Sequence, residues 1–354
     1  MSEKQKQKQK SLLLFRKGGE FAVQLTDIPN PGPGELLVEI HATALNPADW
    51  KVHEHGWFIE GYPTVLGTDC AGIVKEVGDG VTNFDVGDRV LHQGYFDKRH
   101  GTFQQYCIVP AEITAKASIP PNLTFDQAAT IPLSLGTAAV GLYNKKIVPY
   151  GGAALIPPWE EGGRGKYSGQ PILIIGGSSS AGQHVIQLAK LSGFSPIITT
   201  ASAHNREYVE ALGATHVLDR AKAATPQSLA SAVHSITTDP ITIAFDAISE
   251  PATQTASYSV LAPHGKLIVV VLPPAVDPGI IEVIANVHIP AERELGVALY
   301  RELTALLVSG EFIFQPNNVD LVPNGLPGIF DALVRLKQGV SATKLVARPF
   351  ETPD

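Results

Sequence analysis

Short apolar runs broken by Pro and Gly fill the first third of the chain, and a strand-then-helix rhythm fills the middle. Between Ser11 and about Pro120, the runs Leu36-Leu37-Val38-Glu39-Ile40, Cys70-Ala71-Gly72-Ile73-Val74, Arg89-Val90-Leu91 and Gln105-Tyr106-Cys107-Ile108-Val109 each read as a strand. Together they predict a compact β domain. After about Thr130 the period changes. Pro171 to Ile175 is an apolar strand, and Ala181 to Leu191 is a helix with Val185, Leu188 and Ala189 as its buried stripe and Gly193 as its stop. The alternation continues with strand Pro196 to Thr200, a helix to Leu212, a strand around His216 to Leu218, and a helix opened by Thr225-Pro226. Strand Ile241 to Ala247, helix Ala252 to Leu261 and strand Lys266 to Leu272 complete it. Such an alternation packs economically only as a parallel sheet covered on both faces, a doubly wound α/β domain. Residues Ile147 to Gln170 carry six Gly and three Pro without periodicity and read as an excursion between domains or over a cleft. Beyond Pro290, helices Glu292 to Val308 and Ile329 to Lys337 with the run Glu311 to Phe314 are too few for a third domain. They are expected to return to the first.

Composition narrows the class. The chain has 354 residues, 44% of them apolar, with mean hydropathy +0.09, ample for two cores at about 150 residues per domain. Gly 33 and Pro 27 exceed average usage and imply many turns. A net charge of −7 and the lack of a basic, aromatic-interleaved stripe exclude nucleic acid as an expected partner. The longest apolar run, about Leu267 to Leu272, falls far short of the roughly 18 residues of a membrane span, so no membrane partner is expected. Met1 to Lys10, MSEKQKQKQK, has no apolar core and reads as a flexible, solvated tail rather than a secretory signal. Two cysteines, Cys70 and Cys107, build neither a disulfide framework nor a four-cysteine zinc site. A cytoplasmic location is expected.

Candidate chemistry begins where strand Pro171 to Ile175 runs into Gly176-Gly177-Ser178-Ser179-Ser180-Ala181-Gly182 and then a helix. Gly177 and Gly182 hold the first and third glycines of G-x-G-x-x-G, with Ser179 in place of the second. Small side chains let backbone N–H groups and the helix N-terminus approach a pyrophosphate. An acid that would bind an NAD ribose is missing after the next strand. Thr200, Ala201, Ser202, His204, Asn205 and Arg206 stand there instead, a hydroxyl-rich set with a fixed cation that suits a 2′-phosphate. NADPH is the expected cofactor.

Ala44-Leu45-Asn46-Pro47-Ala48-Asp49-Trp50-Lys51, Leu66-Gly67-Thr68-Asp69-Cys70-Ala71-Gly72, Val86-Gly87-Asp88-Arg89-Val90 and the phosphate loop complete a pattern. From about Ser11 to Phe350 the chain resembles a medium-chain dehydrogenase/reductase. The branch it resembles is that of zinc-free quinone and enoyl reductases, above all the fungal trans-acting enoyl reductases, whose Pro/Trp-rich insertion is similar to Leu155-Ile156-Pro157-Pro158-Trp159-Glu160. The resemblance implies a flexible tail over 1–10, a GroES-like catalytic domain over 11–139 completed by 291–354, and a Rossmann cofactor-binding domain over 140–290. It also implies NADPH-dependent reduction of an activated C=C bond (enoyl or enone) or a quinone. The substrate would be a small molecule, free or a carrier-bound polyketide-like enoyl, and both monomers and homodimers fit the branch.

The resemblance carries over to single residues. At the zinc-ligand positions of the superfamily stand Asn46, Gly67-Thr68-Asp69 and Leu133-Ser134, without thiolate or imidazole, so no metal is expected. His53-x-His55 joined by Cys70 or Cys107 is read as loop histidines and small core cysteines rather than as a second metal site. Lys51 matches a lysine beside the cofactor, Thr137 a threonine at the nicotinamide side, and Lys344 the closing Lys-Leu-Val. Asn46 joins them as a cofactor contact. Ile248 and Leu272 end strands that face the ligand crevice. Arg220 replaces a tyrosine that meets the adenosine. The wall beside the substrate is expected from Asn46 to Tyr62 and from Leu133 to Thr137, and Lys51, Thr137 and Tyr62 are the candidate catalytic residues. Tyr62, His53 and water stay open as proton donors. The rival classes are a non-catalytic, NADPH-binding relative of crystallin-like or RNA-binding type and, less favoured, a carbonyl or alcohol oxidoreductase.

Overall fold

The computed structural model describes residues 7–116, 123–145, 151–270, 280–309 and 318–354. They form two compact units, Met1–Leu133 with Gly296–Asp354, and Ser134–Leu295.

In the first unit, β1 (Lys8–Leu14) pairs antiparallel with β2 (Phe21–Asp27). Here the expected tail is too long. Lys8 to Lys10 belong to β1 because the Lys/Gln repeat has the period of a strand. Gln9 turns inward, where it is buried, donates to Gln104 Oε1 (3.2 Å) and accepts from the Tyr106 N–H (2.7 Å). The Lys10 ammonium meanwhile caps the carbonyls of Thr352 and Pro353. A polar residue can hold an inward strand position when its amide is paired.

β3 (Glu35–Ala44) is the spine of a seven-stranded sheet. After it come α1 (Pro47–His55), β4 (Thr64–Val65), β5 (Asp69–Val77), β6 (Arg89–Gln93), β7 (Tyr106–Pro110), β8 (Thr114–Lys116), the short α2 (Phe125–Ala128) and α3 (Pro132–Tyr143). β5 pairs antiparallel with β3 and β6, and β7 pairs with the first half of β3. The approach of β3 to β5 is close enough that a Cβ on Gly72 would lie 2.0 Å from the Glu39 carbonyl oxygen.

The second unit is a parallel sheet among the described residues. β9 (Ile172–Ile175), α4 (Ser180–Ser192), β10 (Ile197–Ala201), α5 (Arg206–Leu212), β11 (His216–Asp219), α6 (Pro226–His234), β12 (Ile241–Asp246), α7 (Pro251–Tyr258), β13 (Leu261–Val269) and β14 (Ile280–Glu282) follow one another. The strand order β11-β10-β9-β12-β13-β14 reverses direction at β9, the layout of a dinucleotide-binding fold. β9 is central and all four of its residues are buried, which is why its sequence is an unbroken apolar run. Thr225 caps α6, accepting from the Ser228 N–H, with Pro226 in the first turn. The expected helix to Leu261 ends early. Leu261 already pairs with Ile241 in β13, because Pro263 pushes the preceding residue toward extended backbone. Leu272 lies outside the described residues.

The excursion after α3 packs against its own unit. Over its described part, from Gly151 on, Trp159 sits edge-on to Tyr143 (5.3 Å) and Tyr167 stacks on Phe194 (4.9 Å). The Tyr167 hydroxyl receives the Ile156 N–H, and the Lys266 ammonium donates to the Ala153 carbonyl.

α8 (Pro290–Ser309), β15 (Asn318–Leu321), α9 (Ile329–Gln338) and β16 (Thr343–Ala347) bring the chain back to the first unit. The run Glu311 to Phe314 lies outside the described residues. β16 pairs antiparallel with β3 and parallel with β15. Leu326, Ile329, Leu333 and Leu345 join Leu12, Leu14, Val52, Leu66 and Phe103 in one buried core. No helix among the described residues is long and apolar enough to cross a membrane.

Candidate active site

The phosphate loop is held from three sides. Gly176 N–H donates to the Thr200 hydroxyl and Gly177 N–H to the Thr200 carbonyl, both at 3.0 Å, which ties the loop to the end of β10. Ser179 caps α4 by accepting from the Gly182 N–H (3.1 Å). Tyr208 donates to Gln183 Oε1 (2.6 Å), and the same amide donates to the Ser178 carbonyl. Gln183 and Tyr208 have no place in the dinucleotide fingerprint. They are visible only once α4 and α5 lie side by side.

A Cβ on Gly177 would meet Thr199 Oγ1 at 2.2 Å, and one on Gly182 the Gly176 carbonyl at 2.2 Å. The turn therefore closes only with glycine at both places. It leaves the first N–H groups of α4, at Ser180 and Ala181, without intrahelical acceptors, a cradle that fits a pyrophosphate.

The expected 2′-phosphate set divides. Thr200 is buried and its hydroxyl is engaged with Gly176. Ser202 precedes a short turn and its carbonyl receives the Asn205 N–H; Asn205 itself is buried. Arg206, the first residue of α5, turns away instead, donating to the Val217 carbonyl (2.7 Å) and to Glu210 (3.3 Å) one helical turn on. Its charge is therefore occupied. Arg220 is exposed, makes no side-chain hydrogen bond or ion pair among the described residues, and follows β11 with its N–H on the Ala201 carbonyl (2.9 Å). At the end of β12 the Asp246 carboxylate gathers the N–H groups of Ile248 and Ser249 and the Thr253 hydroxyl, although burial pushes its pKa up. This turn sets Ile248 against Gly176, with its Cδ1 2.6 Å from where a Cβ would stand, and leaves Ile248 partly exposed.

In the first unit the site centres on a buried cation. Lys344 on β16 donates to Asn46 Oδ1 (2.5 Å) and lies 3.1 Å from Asp69 Oδ2, with both charged side chains buried. Asn46 Nδ2 donates to the same Asp69 oxygen (2.7 Å), and Asp69 Oδ1 receives the Leu133 N–H (2.7 Å). Thr68 Oγ1 stands 3.3 Å from the Asn46 amide. Asp49, also buried, accepts the Asn46 N–H (2.7 Å). Burial pushes its pKa up to about 7, the Asn46 N–H opposing and the nearby Asp69 charge adding to the rise.

Lys51 on α1 is half-buried, has no carboxylate partner among the described residues, lies 5.5 Å from the Trp50 ring centre and has its pKa lowered by burial. Tyr62 is exposed beside Gly56, which ends α1 with φ +71. His53 is bonded through Nε2 to the Gly19 carbonyl (2.7 Å) and stacked on Phe21. Thr137 is half-buried on α3.

A family model described as Alcohol dehydrogenase GroES-like domain matches residues 32–120, and one described as Zinc-binding dehydrogenase matches residues 181–298. Dehydrogenase azaJ of Aspergillus niger is 32% identical over 345 residues, 93% of this chain and 96% of its own. The chain is a medium-chain dehydrogenase/reductase. This medium-chain reductase is also similar to Trans-enoyl reductase himH of Aspergillus japonicus, at 32% identity over 334 residues, 88% of this chain and 89% of the relative. A mycobacterial protein complexed with NADPH has the same fold, with TM-score 0.74 and 23% identity, over 96% of this chain and 100% of that one. As a medium-chain dehydrogenase/reductase the protein is an NAD(P)-dependent oxidoreductase.

The zinc that the second family description names does not fit the positions where the superfamily ligates it. Asn46, Thr68 and Ser134 offer an amide and two hydroxyls, and the Lys344 ammonium already sits on Asn46 and Asp69. A divalent ion there would lack soft or imidazole donors and would face a fixed positive charge.

Two outcomes follow for this medium-chain reductase. Lys344→Met strands the Asp69 carboxylate in the interior and lowers stability by about 3–5 kcal/mol; adding Asp69→Asn to that variant recovers part of the loss, read from urea midpoints. The second concerns pH. Asp49 keeps its proton in the folded chain where the unfolded chain has lost it, so its contribution is complete below about pH 4 and is lost as pH rises through about 7. Asp49→Asn, which keeps an acceptor for the Asn46 N–H, therefore falls less in Tm than the parent between pH 4 and 8.

Proposed function

We propose that the protein is an NADPH-dependent reductase that works without a catalytic zinc and delivers hydride to the β-carbon of an enone or enoyl substrate, or to a quinone. The observation that carries this reading is the Lys344 ammonium locked between Asn46 and Asp69 at the family's metal-ligand position. An ammonium paired with a carboxylate is no Lewis acid, so an alcohol gains little help in losing its proton there. A conjugated alkene needs less, since its charge moves onto a carbonyl oxygen that hydrogen-bond donors can stabilise. The name of the Aspergillus japonicus relative, a trans-enoyl reductase, supports the same reaction class.

Bound NADPH would supply the hydride. The chain's own residues hold it: the start of α4 takes the pyrophosphate, and Arg220, the cation left unpaired at the β10–β11 end, takes the 2′-phosphate. Lys51, a half-buried ammonium with no carboxylate of its own, meets a further anionic or hydroxyl group of the cofactor. Thr137 serves as a donor to the developing oxyanion. The NADPH complex of the mycobacterial neighbour supports the choice of cofactor.

Arg220→Ala weakens NADPH binding by about 1.5–3 kcal/mol if the charge-assisted bond forms and leaves NADH nearly unchanged, as measured by fluorescence titration. Equal losses for both cofactors would remove Arg220 from the 2′-phosphate. The reaction itself is tested with C4-deuterated NADPH and a small enone panel in the presence of a chelator. Turnover persists and the label is found at the β-carbon. Label on a carbinol carbon would make the enzyme a carbonyl reductase, and turnover abolished by chelation while the chain stays folded would overturn the metal-free mechanism.

A further inference from the structure

Three donors of metal-binding type meet inside the β domain, beginning one residue along β5 from Asp69 of the Asn46–Lys344 cluster. Cys70 on β5 and His92 on β6 are paired across the sheet, so their side chains share a face. Cys107 on β7 completes the set, with all three residues fully buried and their ligand atoms within 4.8 Å of one another. Cys107 Sγ lies 3.6 Å from His92 Nε2. Bonds of about 2.3 Å to sulfur and 2.0 Å to nitrogen would hold two such donors about 3.5 Å apart around one tetrahedral zinc ion.

The histidine is also set in the right tautomer. Its Nδ1 lies 3.1 Å from the Gln93 carbonyl, which can only accept. The ring proton is therefore on Nδ1, and the Nε2 lone pair faces the sulfur. A backbone carbonyl on the far nitrogen is the usual support of a metal-bound imidazole.

We propose that Cys70, His92 and Cys107 form a structural site for one zinc ion, clamping β5, β6 and β7. Charge favours a divalent ion, because two thiolates and a neutral imidazole around it sum to zero, which leaves no uncompensated charge in the interior. The balance is simple: the ion displaces the two S–H protons, forms two Zn–S bonds and one Zn–N bond, and nothing is oxidised or reduced. Three protein donors leave one position for a water carried in with the ion. Because the donors are buried, the ion would enter as the chain folds.

The test uses the full chain expressed with zinc, and in parallel with cobalt(II) as the spectroscopic probe. Zinc is expected at one equivalent per chain after dialysis, with a raised Tm, and the cobalt form is expected to show a thiolate-to-cobalt charge-transfer band. The chain has only two cysteines, so that band reports this site without any variant. X-ray absorption of the zinc form should count two sulfurs and one nitrogen, and His92→Gln should lower zinc affinity at least tenfold. Absence of the band, or zinc bound without sulfur, overturns the site, even if His92→Gln proves unable to fold. Reductase turnover is a separate readout: zinc held on sulfur while chelator-treated enzyme still turns over supports both this site and the metal-free reaction.

Discussion

A lysine ammonium inside a protein costs several kcal/mol unless its charge and its protons are met, and the first unit is arranged around that demand. Lys344 is carried on β16, close to the end of the chain, while the groups that receive it come from the start of α1 and the start of β5. Asp69 in turn holds the backbone at the start of α3 through Leu133, and Asp49 steadies Asn46 from below. Four segments remote in sequence are thus fixed by one charge. This is why the C-terminal strands must rejoin the first unit instead of forming a domain of their own.

The same cluster occupies the place where the superfamily ligates its metal. A metal centre polarises a substrate oxygen directly, whereas the groups standing here are an amide and an ion pair satisfied within the protein. Asn46 is suited to this setting because its amide accepts from the ammonium and donates to the carboxylate at once, which neither a thiolate nor a second acid could do.

Much of this was legible in the residues. The alternation of apolar runs located the parallel sheet, and Gly177, Ser179 and Gly182 marked the phosphate loop, because a close backbone approach leaves a compositional trace. What the sequence hid were pairings across long separations. Lys344 meets Asn46 and Asp69 only through the β16–β3 pairing, and His92 reaches Cys70 and Cys107 only through the sheet register. The two cysteines were visible, but the histidine that joins them was neither His53 nor His55. Arg206 stands at the expected spacing for a phosphate contact, and in the fold its guanidinium also meets Glu210 one helical turn on and the Val217 carbonyl, neither of which the spacing shows. The Lys/Gln repeat misled for a simpler reason: polarity outweighed its period of two.

The Thr200 hydroxyl carries an implication for anyone wishing to re-engineer this enzyme's coenzyme choice. An acidic residue at the end of the second strand is the customary route toward NAD. Here that side chain is also the peg on which Gly176 hangs. An aspartate at this place would have to receive the Gly176 N–H as well as any coenzyme hydroxyl, so a change made at β10 for selectivity reaches the turn after β9 too.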